Sequence, residues 1–228
     1  MESQVRGGTR WKRFAVVMVP SVAATAAIGV ALAQGALAAS FSVSGQEFKV
    51  TADELNGTKF TQYGAVDPGY TLSGEKTAHA VAVSSFDTAT IKNLCQSVVT
   101  PDIPFVGTIT LKLKAGNSSD EKQQVSAKTL FIDVSDLNTT GYAQFGNIDI
   151  GVAAGDTGNA DKGGKGIGMN SGEVQKKQAN PYGFAQQADT AKLVGVQQTA
   201  WATTAGTFTL PKLHMSLERG SGKGVECY

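Results

Sequence analysis

From about residue 40 to the C-terminus, apolar residues recur at every second position more often than at helical spacing. In Gly107-Thr-Ile-Thr-Leu-Lys-Leu113, Ile109, Leu111 and Leu113 fall on one side, and Thr108, Thr110 and Lys112 on the other. The same period groups Leu130, Ile132 and Val134, then Ile148, Ile150 and Val152, then Leu213, Met215 and Leu217. Side chains alternate across a strand with period two, so each group predicts a strand with one buried face. Gly116-Asn-Ser-Ser-Asp120 and Asn138-Thr-Thr-Gly141 lie between these segments and supply the residues that turns need. The expected fold class is all-β.

An internal echo refines this expectation. Asp87-Thr-Ala-Thr-Ile-Lys-Asn-Leu-Cys-Gln-Ser-Val98 aligns with Asp189-Thr-Ala-Lys-Leu-Val-Gly-Val-Gln-Gln-Thr-Ala200, and each precedes a Gly-Thr segment, at Gly107 and Gly206. Weaker copies start at Ala52 and Ala127. Repeated strand units predict a short β-solenoid or a β-sandwich of similar hairpins, against chance likeness among Thr/Ala/Leu-rich strands. The long last interval holds an insertion, Gly155-Asp-Thr-Gly-Asn-Ala-Asp-Lys-Gly-Gly-Lys-Gly-Ile-Gly-Met-Asn-Ser-Gly172. It lacks the Gly-Lys-Ser/Thr of a phosphate loop and the carboxylate spacing of a calcium loop, so residues 155–178 read as a flexible insertion.

The first forty residues follow another pattern. Arg6, Arg10, Lys12 and Arg13 precede an apolar run from Phe14 to Ala33, which leads to Ala36-Leu-Ala-Ala39. Basic, apolar and small-residue regions in that order predict an export signal over 1–38, cleaved between Ala38 and Ala39. Because the run approaches the ~20 residues that span a bilayer, an uncleaved anchor is the alternative. Either way the remaining 39–228 reads as a single β-rich domain, secreted or held at the outer face of the membrane.

Cleavage would take those four basic residues and Glu2 away, turning the formal charge from +1 to −2. A near-neutral chain lacks the basic footprint of a nucleic-acid binder. Two cysteines, Cys95 and Cys227, in an exported chain predict one disulfide that ties the C-terminal tail to the domain. With two histidines far apart and the cysteines also separated, no metal-ligand spacing appears, and no cofactor motif is present.

Candidate catalytic groups are few. No Gly-x-Ser-x-Gly occurs, so the common α/β-hydrolase nucleophile turn is missing. His214 shares the polar side of its segment with Lys212, Ser216 and Glu218. His79 is in phase with Val81 and Val83, just before Ser84 and Ser85. It is therefore the better general base, with Ser84 and Ser85 the nearest nucleophiles, Ser73 and Ser97 further ones, and Asp67 or Asp87 as orienters.

Gly7-Gly-Thr-Arg-Trp-Lys-Arg-Phe14, Asn93-Leu-Cys-Gln-Ser-Val98, Asn147-Ile-Asp-Ile-Gly151, Ala179-Asn-Pro-Tyr-Gly-Phe-Ala-Gln-Gln-Ala188, Thr199-Ala-Trp-Ala-Thr-Thr-Ala-Gly206 and Glu226-Cys-Tyr228 together resemble a family of exported actinobacterial proteins. Some of its members carry the label cholesterol esterase. The resemblance implies a secreted carboxylic-ester hydrolase acting on sterol or lipid esters, without implying particular catalytic residues. The composition and the missing nucleophile motif point instead to a non-catalytic structural or lipid-binding protein of the envelope.

Overall fold

A computed structural model describes residues 42–228. The predicted signal or anchor, with its Ala38–Ala39 junction, lies outside the described residues. Among the described residues no helix is long and apolar enough to cross a membrane.

Among the described residues nine strands carry the fold: β1 (Phe48–Tyr70), β2 (Lys76–Lys92), β3 (Leu94–Ile103), β4 (Gly107–Ala115), β5 (Val125–Thr139), β6 (Ala143–Gly146), β7 (Asp149–Ala153), β8 (Phe184–Thr209) and β9 (His214–Arg219). They form one sheet in the order β6-β8-β5-β2-β1-β3-β4-β9, with β7 also paired to β8, and every named ladder is antiparallel. A further ladder joins β8 to β1, so β1, β2, β5 and β8 each pair with two others of that group. Over its 23 residues β1 curls so far that Val43, just before it, bridges Gly69 near its end. The all-β expectation holds, but the repeats build one continuous antiparallel sheet in place of solenoid coils or paired sheets.

The internal echo has a direct structural cause. β1 is flanked on one side by β2 and then β3, and on the other by β8. Thr58 faces both Thr88 and Thr190, Leu55 faces Ile91 and Leu193, and Val50 faces Gln96 and Gln198. The two similar segments are thus the two neighbours of one strand in one register, and similar surroundings favour similar residues.

The apolar residues divide into two clusters. The first includes Val50, Leu55, Phe60, Phe86, Ile91, Leu130, Ile132, Leu193 and Val196; the second includes Tyr63, Ala65, Val81, Val83, Phe131 and Ala185. β1, β2, β5 and β8 therefore bury residues from both faces, which a strand can do only inside a molecule covered on each side. In the first cluster Phe60 lies with its ring 5.4 Å from Phe86 and 5.1 Å from Phe145. Room for these rings comes from the cross-strand row Ala89, Gly57 and Ala191. A Cβ on Gly57 would run into the Phe86 ring. Gly57→Ala is expected to cost about 1–3 kcal/mol through overpacking, read as a lower denaturant midpoint with unchanged slope.

The second cluster is roofed by the glycine-rich insertion. β8 pairs with β1 only as far as Phe60 opposite Ala188, and beyond that point the insertion lies along the vacated flank. Its Ile167 N–H donates to Lys59 O, Gly168 N–H to Thr61 Oγ1, and Ala179 bridges Ala65. The segment contains short 3-10 turns and one helical turn, α1 (Ser171–Gln175), capped by Asn170 Oδ1 accepting from Gly172 N–H. Gly166 sits directly against Thr61, where a side chain would collide with Thr61 Oγ1 and Phe60 O, so its glycines serve close backbone approach. Read in sequence as a flexible loop, residues 155–178 thus form a strap hydrogen-bonded across β1.

The outer strands also depart from the alternation reading. On β4 the polar face is the more deeply buried one: Thr110 and Lys112 are 0% and 7% exposed and Ser97 beside them on β3 is buried too, whereas Leu217, on the apolar side of neighbouring β9, is 68% exposed. The cause is the C-terminal tail, which crosses the polar face and is held by the Cys95–Cys227 disulfide, the pairing expected from sequence. Cys227 N–H donates to Ser97 Oγ, Thr110 Oγ1 to Gly220 O, and Lys112 Nζ pairs with Glu218 at 3.2 Å. On β7, Ile150 is exposed because the strand breaks register between Ile150 and Val152, around Gly151 with φ +89°.

Candidate functional site

The first cluster is incompletely filled. A cavity of about 290 Å³ lies among Leu55, Phe60, Phe86, Ile132, Leu193 and Val196, with Leu137, Asn138 and Ala143 at its exposed rim. That volume is close to the lower limit of ordinary ligand pockets, ~300–1,000 Å³. One wall is polar. Gln62 comes from β1, Ser84 from β2, and Gln186 and Gln198 from β8. Gln186 Nε2 donates to Gln62 Oε1, and Gln62 Nε2 donates to Ser84 Oγ over 2.8 Å, so the three side chains form one relay. Among the described residues, none that lines the cavity is charged. Such a site offers amide and hydroxyl donors and acceptors to a neutral polar group, and apolar walls to the rest of its ligand.

A second polar assembly lies in the other cluster, beneath the strap. Asp67 on β1 is directly opposite His79 on β2, and Asp133 on β5 interacts with Asp67. Glu173 of α1 completes the group: its Oε2 accepts from Tyr63 Oη at 2.9 Å, while Tyr63 Oη accepts from Asn170 N–H at 2.9 Å. Burial pushes the Asp133 carboxyl up to about 8, assisted by the nearby Asp67 and Glu173 charges. Burial also raises Glu173 to about 7, with Asp67 adding to the effect against the hydrogen bond from Tyr63. Asp67 is raised too, chiefly by burial. The Tyr63 hydroxyl is held neutral by burial and by Glu173. His79 stacks on Trp201 of β8, with ring centroids 3.5 Å apart and planes 16° apart. Asp67 Oδ2, Asp133 Oδ1 and His79 Nε2 are buried without a hydrogen-bond partner.

The predicted catalytic residues are dispersed by this geometry. His79 is half-buried in the second cluster, as its phase with Val81 and Val83 implied, and Asp67 is its neighbour. Ser84 lines the cavity of the first cluster, on the other face of β2, and Ser85 is wholly buried with Oγ donating to Thr61 O at 3.2 Å. At ~3.3 Å per strand residue, five or six residues separate His79 from these hydroxyls by roughly 16–20 Å along β2. Ser97 Oγ is occupied by the tail, Ser73 bonds Thr71 in a turn, and Asp87 pairs with Lys59 on the surface. His214 is exposed on β9. Among the described residues no group of three His, Cys, Asp or Glu side chains is disposed to hold a metal ion.

Asp133, Glu173, Tyr63, Trp201 and the three glutamines escape the sequence reading. Asp133 carries a visible signal, an acid between Ile132 and Val134 in a strand buried on both faces. The others are divided among β1, β8 and α1 with no spacing that marks them as one site.

The comparisons with known proteins give one match. The model of a family of unknown function, DUF6230, covers residues 44–228. The chain belongs to that family. No curated protein and no solved structure matches it.

Proposed function

We propose that this is an exported β-rich binding protein that holds one small, neutral, largely apolar molecule in the cavity of its first cluster. The observation that carries this reading is the cavity itself, with aliphatic and aromatic walls on one side and the uncharged Gln62–Ser84–Gln186 relay on the other. Small-molecule sites characteristically combine apolar lining with a few convergent polar groups. An alcohol, ester or amide headgroup matches that relay, and a carboxylate would meet no cation there. Its modest volume suits a single short acyl or terpenoid-sized body better than an intact sterol ester.

Ester hydrolysis is the second reading, and one observation favours it: Ser84 faces the cavity. Its hydroxyl accepts from Gln62, however, and the only histidine on β2 is on the other face. The two readings separate in one experiment on purified protein, which measures heat of binding and ester turnover with medium-chain alcohols, methyl esters and the corresponding carboxylates. Expected is saturable binding of the neutral compounds over the acids, no turnover, and at least a tenfold loss of affinity, roughly 1.4 kcal/mol, in Ala143→Trp at the rim. Turnover of the esters that disappears in Ser84→Ala would replace binding by hydrolysis. Equal or absent binding of all compounds would remove the proposal.

A further inference from the structure

β9 ends the sheet, and its outer edge has no strand beside it among the described residues. Proteins usually blunt such an edge with proline, charge or a covering loop, because unpaired N–H and C=O groups accept another strand. His214-Met-Ser-Leu-Glu-Arg219 has no proline, and Met215 and Leu217 are 55% and 68% exposed. They extend the apolar flank of Leu113 and Leu111, their partners on β4, and Val98 of β3 follows beyond Leu111. On the opposite side the C-terminal tail crosses the neighbouring β4 and β3, so the edge and the apolar side are where β9 is most open to a partner.

The strand is complementary to itself. In antiparallel pairing about a two-fold axis through Ser216, Met215 meets Leu217 of the other copy, and His214 meets Glu218, each contact occurring twice. Residues directly opposite in an antiparallel pair share a face, so the two apolar flanks join on one side and the histidine–carboxylate pairs lie on the other. Moving the axis to Leu217 sets Met215 against Arg219. Moving it to Met215 sets Leu217 against Leu213, which lies outside β9. Glu218 remains within reach of Lys112 of its own copy, which orients the carboxylate at the junction.

We propose that two copies of this chain associate through β9, antiparallel about a two-fold axis at Ser216, fusing two nine-stranded sheets into one. A two-fold interface is the commonest way for a chain to bury such an edge, and each substitution in it acts twice.

Sedimentation velocity on the purified chain over a concentration series tests this. Expected is a reversible monomer–dimer equilibrium, with Leu217→Lys and Met215→Lys each raising the dissociation constant at least ~tenfold. Leu72→Lys, at an exposed apolar residue in the β1–β2 turn, is expected to leave the equilibrium unchanged. Ser216→Cys is expected to give a covalent dimer on mild oxidation, and His214→Cys, which faces Glu218, is not. Far-UV circular dichroism and an intact Cys95–Cys227 bond establish that each variant is folded. The proposal is overturned by a monomer at every concentration, by lysine variants that dimerise as well as wild type, or by Ser216→Cys cross-linking no faster than Leu72→Cys. A monomer that instead co-sediments with phosphatidylcholine vesicles through Leu217 also overturns it, and reassigns the flank to a lipid surface.

Discussion

Thermal unfolding is expected at a markedly higher temperature near pH 5 than near pH 8.5, because the folded protein holds protons on Asp133, Glu173 and Asp67 that the unfolded chain releases. The sign follows from the direction in which burial moves these groups. All three carboxyls are raised above their ordinary values, so the folded state binds more protons between about pH 4 and pH 8 and loses stability as pH rises through about 7 and about 8. A carboxyl whose pKa is one higher in the folded than in the unfolded chain contributes ~1.4 kcal/mol, and a combined loss on the order of 3–5 kcal/mol across that window is expected. At roughly 2–4 °C per kcal/mol for a chain of this size, the midpoint falls by about 6–20 °C. Below the ordinary carboxylate range the trend reverses. Glu54 is held low by hydrogen bonds from Asn56 and Lys192, and Glu226 is held low, against its burial, by Lys49; both interactions fail on protonation. Asp133→Asn keeps the shape and removes the ionisation, so its midpoint should change far less with pH and exceed that of wild type near pH 8.5. A wild-type midpoint that is flat or rises from pH 5 to pH 8.5 would refute this account of the cluster.

Loss of the Cys95–Cys227 disulfide should be comparably severe. The bond closes a loop with a sequence separation of 132, for which the chain-entropy model gives ~5 kcal/mol. Native contacts are lost as well. The tail that the bond retains covers Lys112, whose ammonium reaches Gly224 O and Glu218, and it supplies the Cys227 N–H to Ser97. Without the tail, Thr110 and Lys112 face solvent on a strand whose other side is only half-buried. Cys227→Ser is therefore expected to lower the unfolding midpoint by about 10–20 °C and to increase proteolysis within β3, β4 and β9 before the rest of the chain. A midpoint within ~2 °C of wild type would show that the tail contributes little to the fold.

The disulfide and the carboxyl cluster differ in how far each is legible in the residues alone. Cys95 and Cys227 are the only cysteines in the chain, so their pairing follows from residue count together with the expectation of export. The carboxyl cluster has no such signature. Asp67, Asp133 and Glu173 are spread over more than a hundred positions, and only the curling of β1 and the strap above it bring them together. His79 reads as inward-facing from its phase with Val81 and Val83, yet the serines nearest to it in sequence are not its partners. In an extended strand, nearness in sequence means separation in space, and neighbours alternate between faces. The same rule sends Ser84 to the cavity and leaves His79 on the other side of β2.

By itself the sequence determined the all-β class, the strand segments around Ile109, Ile132 and Leu217, the disulfide, and the similarity of the two segments that flank β1. Each depends on local period or on residue identity. Which face of a strand is buried was decided only by the tertiary structure. The alternation at Leu213, Met215 and Leu217 shows two chemically distinct faces, but it cannot say that the C-terminal tail will cover the polar one. The glycines of residues 155–178 likewise signal freedom of the backbone, and the fold uses that freedom for close approach to Thr61 and Phe60. Burial is a property of what lies opposite a residue, and for Thr110 and Thr61 the covering elements are more than a hundred residues away in sequence.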